Sequence, residues 1–112
     1  MVTLTVQVSD ELAARLQPIT TWLPAIIEIS LIGFKTLATA TAAEVISFLS
    51  SNPTPHEVLD YHISDEAQAR LRRLLILNEA GDLSEVEQIE LDELQHIEHI
   101  VIMLKARIAG QH

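Results

Sequence analysis

Residues 2–16 read VTLTVQVSDELAARL, a strict alternation of apolar and polar residues that passes directly into a helical pattern. The aliphatic residues of this alternation would share one side of a strand: Val2, Leu4, Val6 and Val8. The polar residues would share the other side: Thr3, Thr5 and Gln7. Ser9 or Asp10 fits the N-cap of a helix that carries Leu12 and Leu16. A lone strand leaves its backbone groups unsatisfied, so we expect it to pair with the same strand of a second copy.

The middle of the chain predicts two more helices and a boundary. Pro24 fits the first turn of a helix expected to run to about Leu37, although Gly33 within it could mark close packing or an early end. Residues 41–44 (TAAE) form a capping box that predicts a third helix over residues 42–49. The breaker-rich residues 50–55 (SSNPTP) then predict a division between residues 1–50 and residues 54–112.

The C-terminal part is patterned for a short helix and a helical hairpin. Residues 54–57 (TPHE) and 84–87 (SEVE) are further capping boxes, and Ser64 fits another N-cap. These signals predict helices over residues 55–60, 65–80 and 85–109, with Gly81 ending the second of them. The fold class expected from the whole chain is therefore mainly α, with one N-terminal strand followed by helices.

Composition restricts the chemistry and the location of the protein. Hydrophobic residues make up 48% of the 112 residues but aromatic residues only 4%, so the core must be aliphatic. The absence of cysteine excludes disulfides and thiolate chemistry. We see no secretion signal, and the apolar run at residues 23–32 is too short to cross a bilayer. A cytoplasmic protein without a membrane partner is expected.

The formal net charge of −9 is unevenly distributed. Residues 1–52 carry four acidic and two basic side chains, a net of −2, which leaves −7 for residues 53–112. An acidic chain is a poor general ligand for nucleic acid, because phosphate contacts need Lys and Arg. It suits a basic protein partner, while simple solubility is the alternative explanation.

The N-terminal third resembles the ribbon-helix-helix family of DNA-binding proteins. The resemblance lies in residues 2–8 (VTLTVQV), 9–16 (SDELAARL) and 23–31 (LPAIIEISL). It implies a homodimer in which two strands form a ribbon that enters the major groove of operator DNA. On this view Thr3, Thr5 and Gln7 contact base edges, and the helix start near Thr21 holds a phosphate. A ribbon that dimerises without touching DNA is the alternative.

Many proteins with such a module are antitoxins, which implies that the acidic C-terminal helices cover a cognate basic toxin. Consecutive apolar residues at 74–77 and 100–104 exceed one buried stripe, which favours a partner surface. The residues predicted to bind the partner are Leu74, Leu77, Ile97, Val101 and Leu104. A self-contained hairpin is the structural alternative. The functional alternative to an antitoxin-like regulator is a homodimeric assembly or scaffold protein that binds no nucleic acid.

The sequence offers little support for a catalytic or a metal-binding function. Asp92, His96 and His99 fall on one helix face, but a metal site needs three or four ligands with fixed surroundings. No phosphate loop, nucleophile elbow or HExxH motif is present. We therefore predict that the protein is not an enzyme, has no catalytic residues and needs neither a cofactor nor a metal.

Overall fold

The computed structural model describes residues 1–110, and in that range the chain forms six α-helices and one 3-10 turn. The helices are α1 (Asp10–Leu16), α2 (Leu23–Ser30), α3 (Ala38–Ser50), α4 (Pro55–Asp60), α5 (Asp65–Glu79) and α6 (Glu85–Ala109). The 3-10 turn, Gln17–Ile19, follows α1 directly. The mainly α architecture expected from the sequence is confirmed.

The predicted N-terminal strand is wrong. Residues 1–9 have no regular secondary structure, and residues 1–110 contain no strand with which they could pair. The alternation at residues 2–8 is compatible with an extended backbone, but a strand also needs a neighbouring backbone to hydrogen-bond with. The strand of the ribbon-helix-helix arrangement is therefore missing from the described chain.

The cap residues explain where four of the helices begin. Ser9 Oγ accepts the Leu12 N–H at 3.1 Å, and Ser64 Oγ accepts the Ala67 N–H at 3.1 Å. The reciprocal capping boxes at Thr54 and Ser84 are both formed. The predicted starts of α1, α4, α5 and α6 are thus confirmed, because each depends on a local side-chain hydrogen bond.

The predictions for α2 and α3 were less accurate. Helix α2 ends at Ser30 rather than near residue 37, and Gly33 then adopts a φ of +68°. Helix α3 begins at Ala38, so Thr41 is a buried residue inside the helix rather than its cap. The TAAE pattern predicted the wrong start for α3, because a side chain of α6 holds that start in place.

The core is aliphatic and is built around α6. Helices α2, α3, α4 and α5 all pack against this 25-residue helix, and α2 also packs against α3. The most deeply buried side chains are Ile29, Val45, Leu49, Val58, Leu74, Leu91, Leu94 and Ile97. Helices from both sides of residues 50–54 contribute to this one core, and the division of the chain there stays a prediction.

No helix in residues 1–110 combines the length and the apolar character that crossing a bilayer requires.

Candidate interaction surfaces

The N-terminal arm, residues 1–9, is the most exposed apolar segment of the described chain. Every residue from 1 to 12 is exposed. The exposed fractions of its aliphatic side chains are large: Val2 87%, Leu4 84%, Val6 74% and Val8 41%. A short alternating segment with four aliphatic side chains in water indicates a surface that another element covers.

Helix α1 continues this surface. It has only seven residues, and none of them is buried against the described part of the chain. Leu12 is exposed, and Leu16 is half-buried. Isolated helices of this length are marginal in water, because most helix stability in proteins comes from packing an apolar face. The arm and α1 therefore form one contiguous stretch without a buried residue.

The residues predicted to contact DNA are all accessible. Thr3, Thr5 and Gln7 lie on the arm, and Thr21 lies in the turn before α2. The arm residues were expected on the outer face of a two-stranded ribbon, which the described residues do not form. Their contact with DNA stays a prediction.

The residues predicted to bind a partner lie mainly in the core of the chain. Leu74 and Ile97 are fully buried, Val101 and Leu104 are nearly so, and Leu77 is half-buried. Their partner-binding role stays a prediction. The apolar residues of α5 and α6 that are exposed are different ones, namely Leu75, Ile76, Val86, Ile89, Ile102 and Met103. Sequence reasoning found the excess of apolar residues but not which members faced outward, since that depends on how α5 and α6 are rotated.

The same stretch of the chain is rich in carboxylates. Residues 74–104 contain eight acidic residues and no Lys or Arg. Glu79, Asp82 and Glu85, at the turn between α5 and α6, are exposed. Glu90 and Glu93 are instead buried, and both make hydrogen bonds within the chain. The turn end of the α5–α6 pair thus combines exposed apolar residues with negative charge.

Glu90 joins α6 to α5 through a two-pronged ion pair. Its carboxylate accepts Arg70 Nε at 2.7 Å and Arg70 Nη2 at 2.9 Å. The hydrogen bond from Glu90 raises the pKa of Arg70 above its ordinary value, and the charges of Glu90 and Glu87 act in the same direction. This pair places the buried charge of Glu90 beside a compensating positive charge.

Glu93 joins α6 to the start of α3. Its carboxylate accepts the Lys35 backbone N–H at 2.8 Å and the Thr36 hydroxyl at 2.5 Å. Thr36 Oγ1 in turn accepts the Ala38 N–H at 3.2 Å. These bonds satisfy donors at a helix start whose N-cap residue, Leu37, has no polar side chain. This role of Glu93 was not predicted from the sequence, because Glu93 and Thr36 are 57 residues apart.

Trp22 joins the first part of the chain to the breaker-rich segment. Its indole is buried, and Nε1 donates to the Pro53 carbonyl at 2.9 Å. This contact holds Pro53 against the core, while the other residues of 50–55 are exposed.

A shallow groove runs beside α5 and α6. We call it the lateral groove, and its volume is about 340 Å³. Its apolar lining consists of Ile63, Leu71, Leu75, Val101 and Ile102. Arg72 and Glu98 are among its polar residues. The aliphatic part of this lining suits the binding of an apolar segment.

The histidines of α6 face solvent. Asp92, His96 and His99 are all exposed, as expected for solvated polar residues. Within residues 1–110, no three or more His, Asp or Glu side chains come together as metal ligands would.

The chain matches no family model, no curated protein and no solved structure. Its function is therefore inferred from its own surfaces.

Proposed function

We propose that this chain is an antitoxin-like regulatory protein. It forms a homodimer through its N-terminal arm, and the acidic α5–α6 pair binds and covers a basic protein, the toxin. The observation that carries the proposal is the exposure of every residue from 1 to 12, with the aliphatic side chains on alternate positions.

Self-association explains the arm better than solvation does. Exposing Val2, Leu4 and Val6 to water does not stabilise a chain that acts alone. Burying each of these side chains contributes roughly 1.5–3 kcal/mol of favourable free energy. Fixing the backbone costs roughly 1–2 kcal/mol per residue, so the arm becomes ordered only where a partner surface covers most of it. In a symmetric dimer, each copy supplies such a surface for the arm of the other copy.

The acidic helix pair supports the second half of the proposal. Ile76 and Val86 are 66% and 65% exposed, and Glu79, Asp82 and Glu85 lie close to them in sequence around the α5–α6 turn. Apolar side chains that bury on binding, with carboxylates around them, are complementary to a basic protein surface with apolar residues of its own. The long run of residues 74–104 without Lys or Arg makes an acidic partner unfavourable there.

Co-expression with the product of the adjacent reading frame tests the partner. We expect the two proteins to co-purify, the chain to relieve any growth arrest that the product causes, and binding to weaken as ionic strength rises. Failure to rescue growth and to co-purify would remove the toxin-binding half of the proposal.

A pair of matched variants locates the binding surface. Ile76→Ser and Val86→Ser remove exposed apolar side chains next to the acidic turn, and neither is expected to affect folding. Ile27→Ser makes the same kind of change at an exposed position on α2. We expect the first two variants to weaken co-purification and Ile27→Ser to leave it unchanged. Equal effects of all three would contradict the assigned surface.

A further inference from the structure

We propose that the lateral groove receives the N-terminal arm of a second copy, so that two copies of the chain exchange arms. This inference rests on the proposed homodimer and adds to it the place where each arm binds.

The groove is a preformed aliphatic surface. Leu71 and Leu75 from α5 and Val101 and Ile102 from α6 line it. Residues 61–63 form a further wall, which is fixed because Gln68 Nε2 donates to the Ile63 carbonyl at 2.8 Å. The ring of Tyr61 is stacked on Phe48, with 4.2 Å between the ring centroids. A wall held in this way is ready for a ligand and loses little freedom when one binds.

The arm matches the groove in length and pattern. An extended chain rises about 3.3 Å per residue, so residues 4–8 span roughly 13 Å. The α5 wall from Gln68 to Leu75 is about 10 Å long at 1.5 Å per residue. In an extended arm Leu4, Val6 and Val8 point to one side, onto the aliphatic floor, while Thr5 and Gln7 point to the other.

Charge favours the arm over the other surfaces of a second copy. Each copy carries a formal charge of −9, so two copies repel each other as they approach. Residues 1–9 contain no charged side chain. The arm therefore reaches a groove that Glu98 borders without bringing another carboxylate to it.

The area covered by two exchanged arms approaches that of a small stable interface. Full burial of a Val or Leu side chain removes roughly 60–120 Å² of apolar surface from water. Leu4, Val6 and Val8 of each arm, with at most an equal area on a groove whose Ile63, Leu71 and Val101 are already buried, give up to about 700–1,400 Å² for the symmetric pair. Stable interfaces bury about 1,200–2,000 Å² in total, so a reciprocal exchange reaches the lower end of that range, whereas one arm in one groove falls far short of it.

Disulfide trapping tests the exchange, because the chain has no native cysteine. Val6→Cys full-length protein is mixed with differently tagged Leu75→Cys protein and oxidised, and covalent dimers are measured on a non-reducing gel. We expect the Val6→Cys and Leu75→Cys pair to cross-link roughly tenfold faster than Val6→Cys with Ile27→Cys, since a bound arm raises the local thiol concentration. Ile27 is the matched control, an exposed aliphatic position on α2.

Each outcome has a distinct meaning. Equal or faster cross-linking to position 27 would overturn the groove assignment. The double variant Val6→Cys/Leu75→Cys distinguishes exchange from self-docking, and a purely intramolecular product would also overturn it. Sedimentation of the unmodified chain separates the two proposals: a dimer whose arms do not cross-link to the groove refutes only the exchange, while a monomer refutes the homodimer itself.

Discussion

Removing the Glu93 carboxylate is expected to loosen the start of α3 and to destabilise the whole protein. Glu93→Ala leaves the Lys35 N–H and the Thr36 hydroxyl without their acceptor. Glu93 then no longer orients the Thr36 hydroxyl toward the Ala38 N–H, so the hydrogen bond at the first turn of α3 is weakened too. The effect extends beyond one helix, because these bonds join the start of α3 to α6.

The magnitude follows from the two hydrogen bonds. Each hydrogen bond to a charged acceptor contributes about 1.5–3 kcal/mol. Lys35 is exposed and Thr36 is half-buried, so water replaces part of what is lost. Alanine also favours the helix by a few tenths of a kcal/mol. We therefore expect the free energy of unfolding to fall by about 2–4 kcal/mol, which corresponds to a decrease in Tm of about 8–16 °C.

Urea denaturation followed by tryptophan fluorescence measures this change. Trp22 is the only tryptophan and is buried, so its emission reports global unfolding. Glu98→Ala is the matched control, because Glu98 is a half-buried glutamate on the same helix and no hydrogen bond to its side chain is present in the described part of the chain. A loss for Glu93→Ala below about 1 kcal/mol, or equal to that of Glu98→Ala, would refute this account of the α3 start.

Arg70→Met should lower the free energy of unfolding by about 1–3 kcal/mol in the same urea assay, because it leaves the Glu90 carboxylate, which is 5% exposed, without its partner. The Arg70 side chain is 36% exposed, so the effect lies at the lower end of the range for buried pairs. A loss no larger than that of Arg72→Met would contradict this. Burial, and secondarily Glu44, raises the pKa of Tyr61 above its ordinary value of 10.0. The folded state thus favours the neutral phenol, and its stabilising contribution, complete below pH 10.0, is lost as pH rises through the higher folded pKa. Absorbance titration of this single tyrosine should show the raised pKa, and a midpoint at the ordinary value would be inconsistent with the structure. Finally, if the arm contacts DNA, gel-shift binding to the DNA upstream of its own gene should appear at low salt and weaken with Thr5→Ala; no shift at low salt would exclude operator binding.

Local signals in the sequence predicted most helix boundaries. The caps at Ser9, Thr54, Ser64 and Ser84 act within three residues of the helix they begin, so a sequence pattern contains the whole interaction.

Interactions between distant residues explain the errors. The start of α3 depends on Glu93, which no pattern around residue 38 reveals, and the buried position of Pro53 involves Trp22. The strand prediction for residues 2–8 failed because alternation records which side chains are apolar but not whether a second backbone is available. The interaction roles of the arm and of the acidic helices stay predictions, and the sequence did not separate the exposed residues of α5 and α6 from the buried ones.

Sedimentation velocity of the full-length chain with Val6→Asp and Thr5→Asp tests the homodimer most directly. Both substitutions add the same charge to the same exposed arm, but Val6 belongs to its apolar side and Thr5 to its polar side. The account predicts a dimer for the unmodified chain and for Thr5→Asp, and a folded monomer for Val6→Asp. A monomeric unmodified chain, or a Val6→Asp protein that remains dimeric, would contradict it.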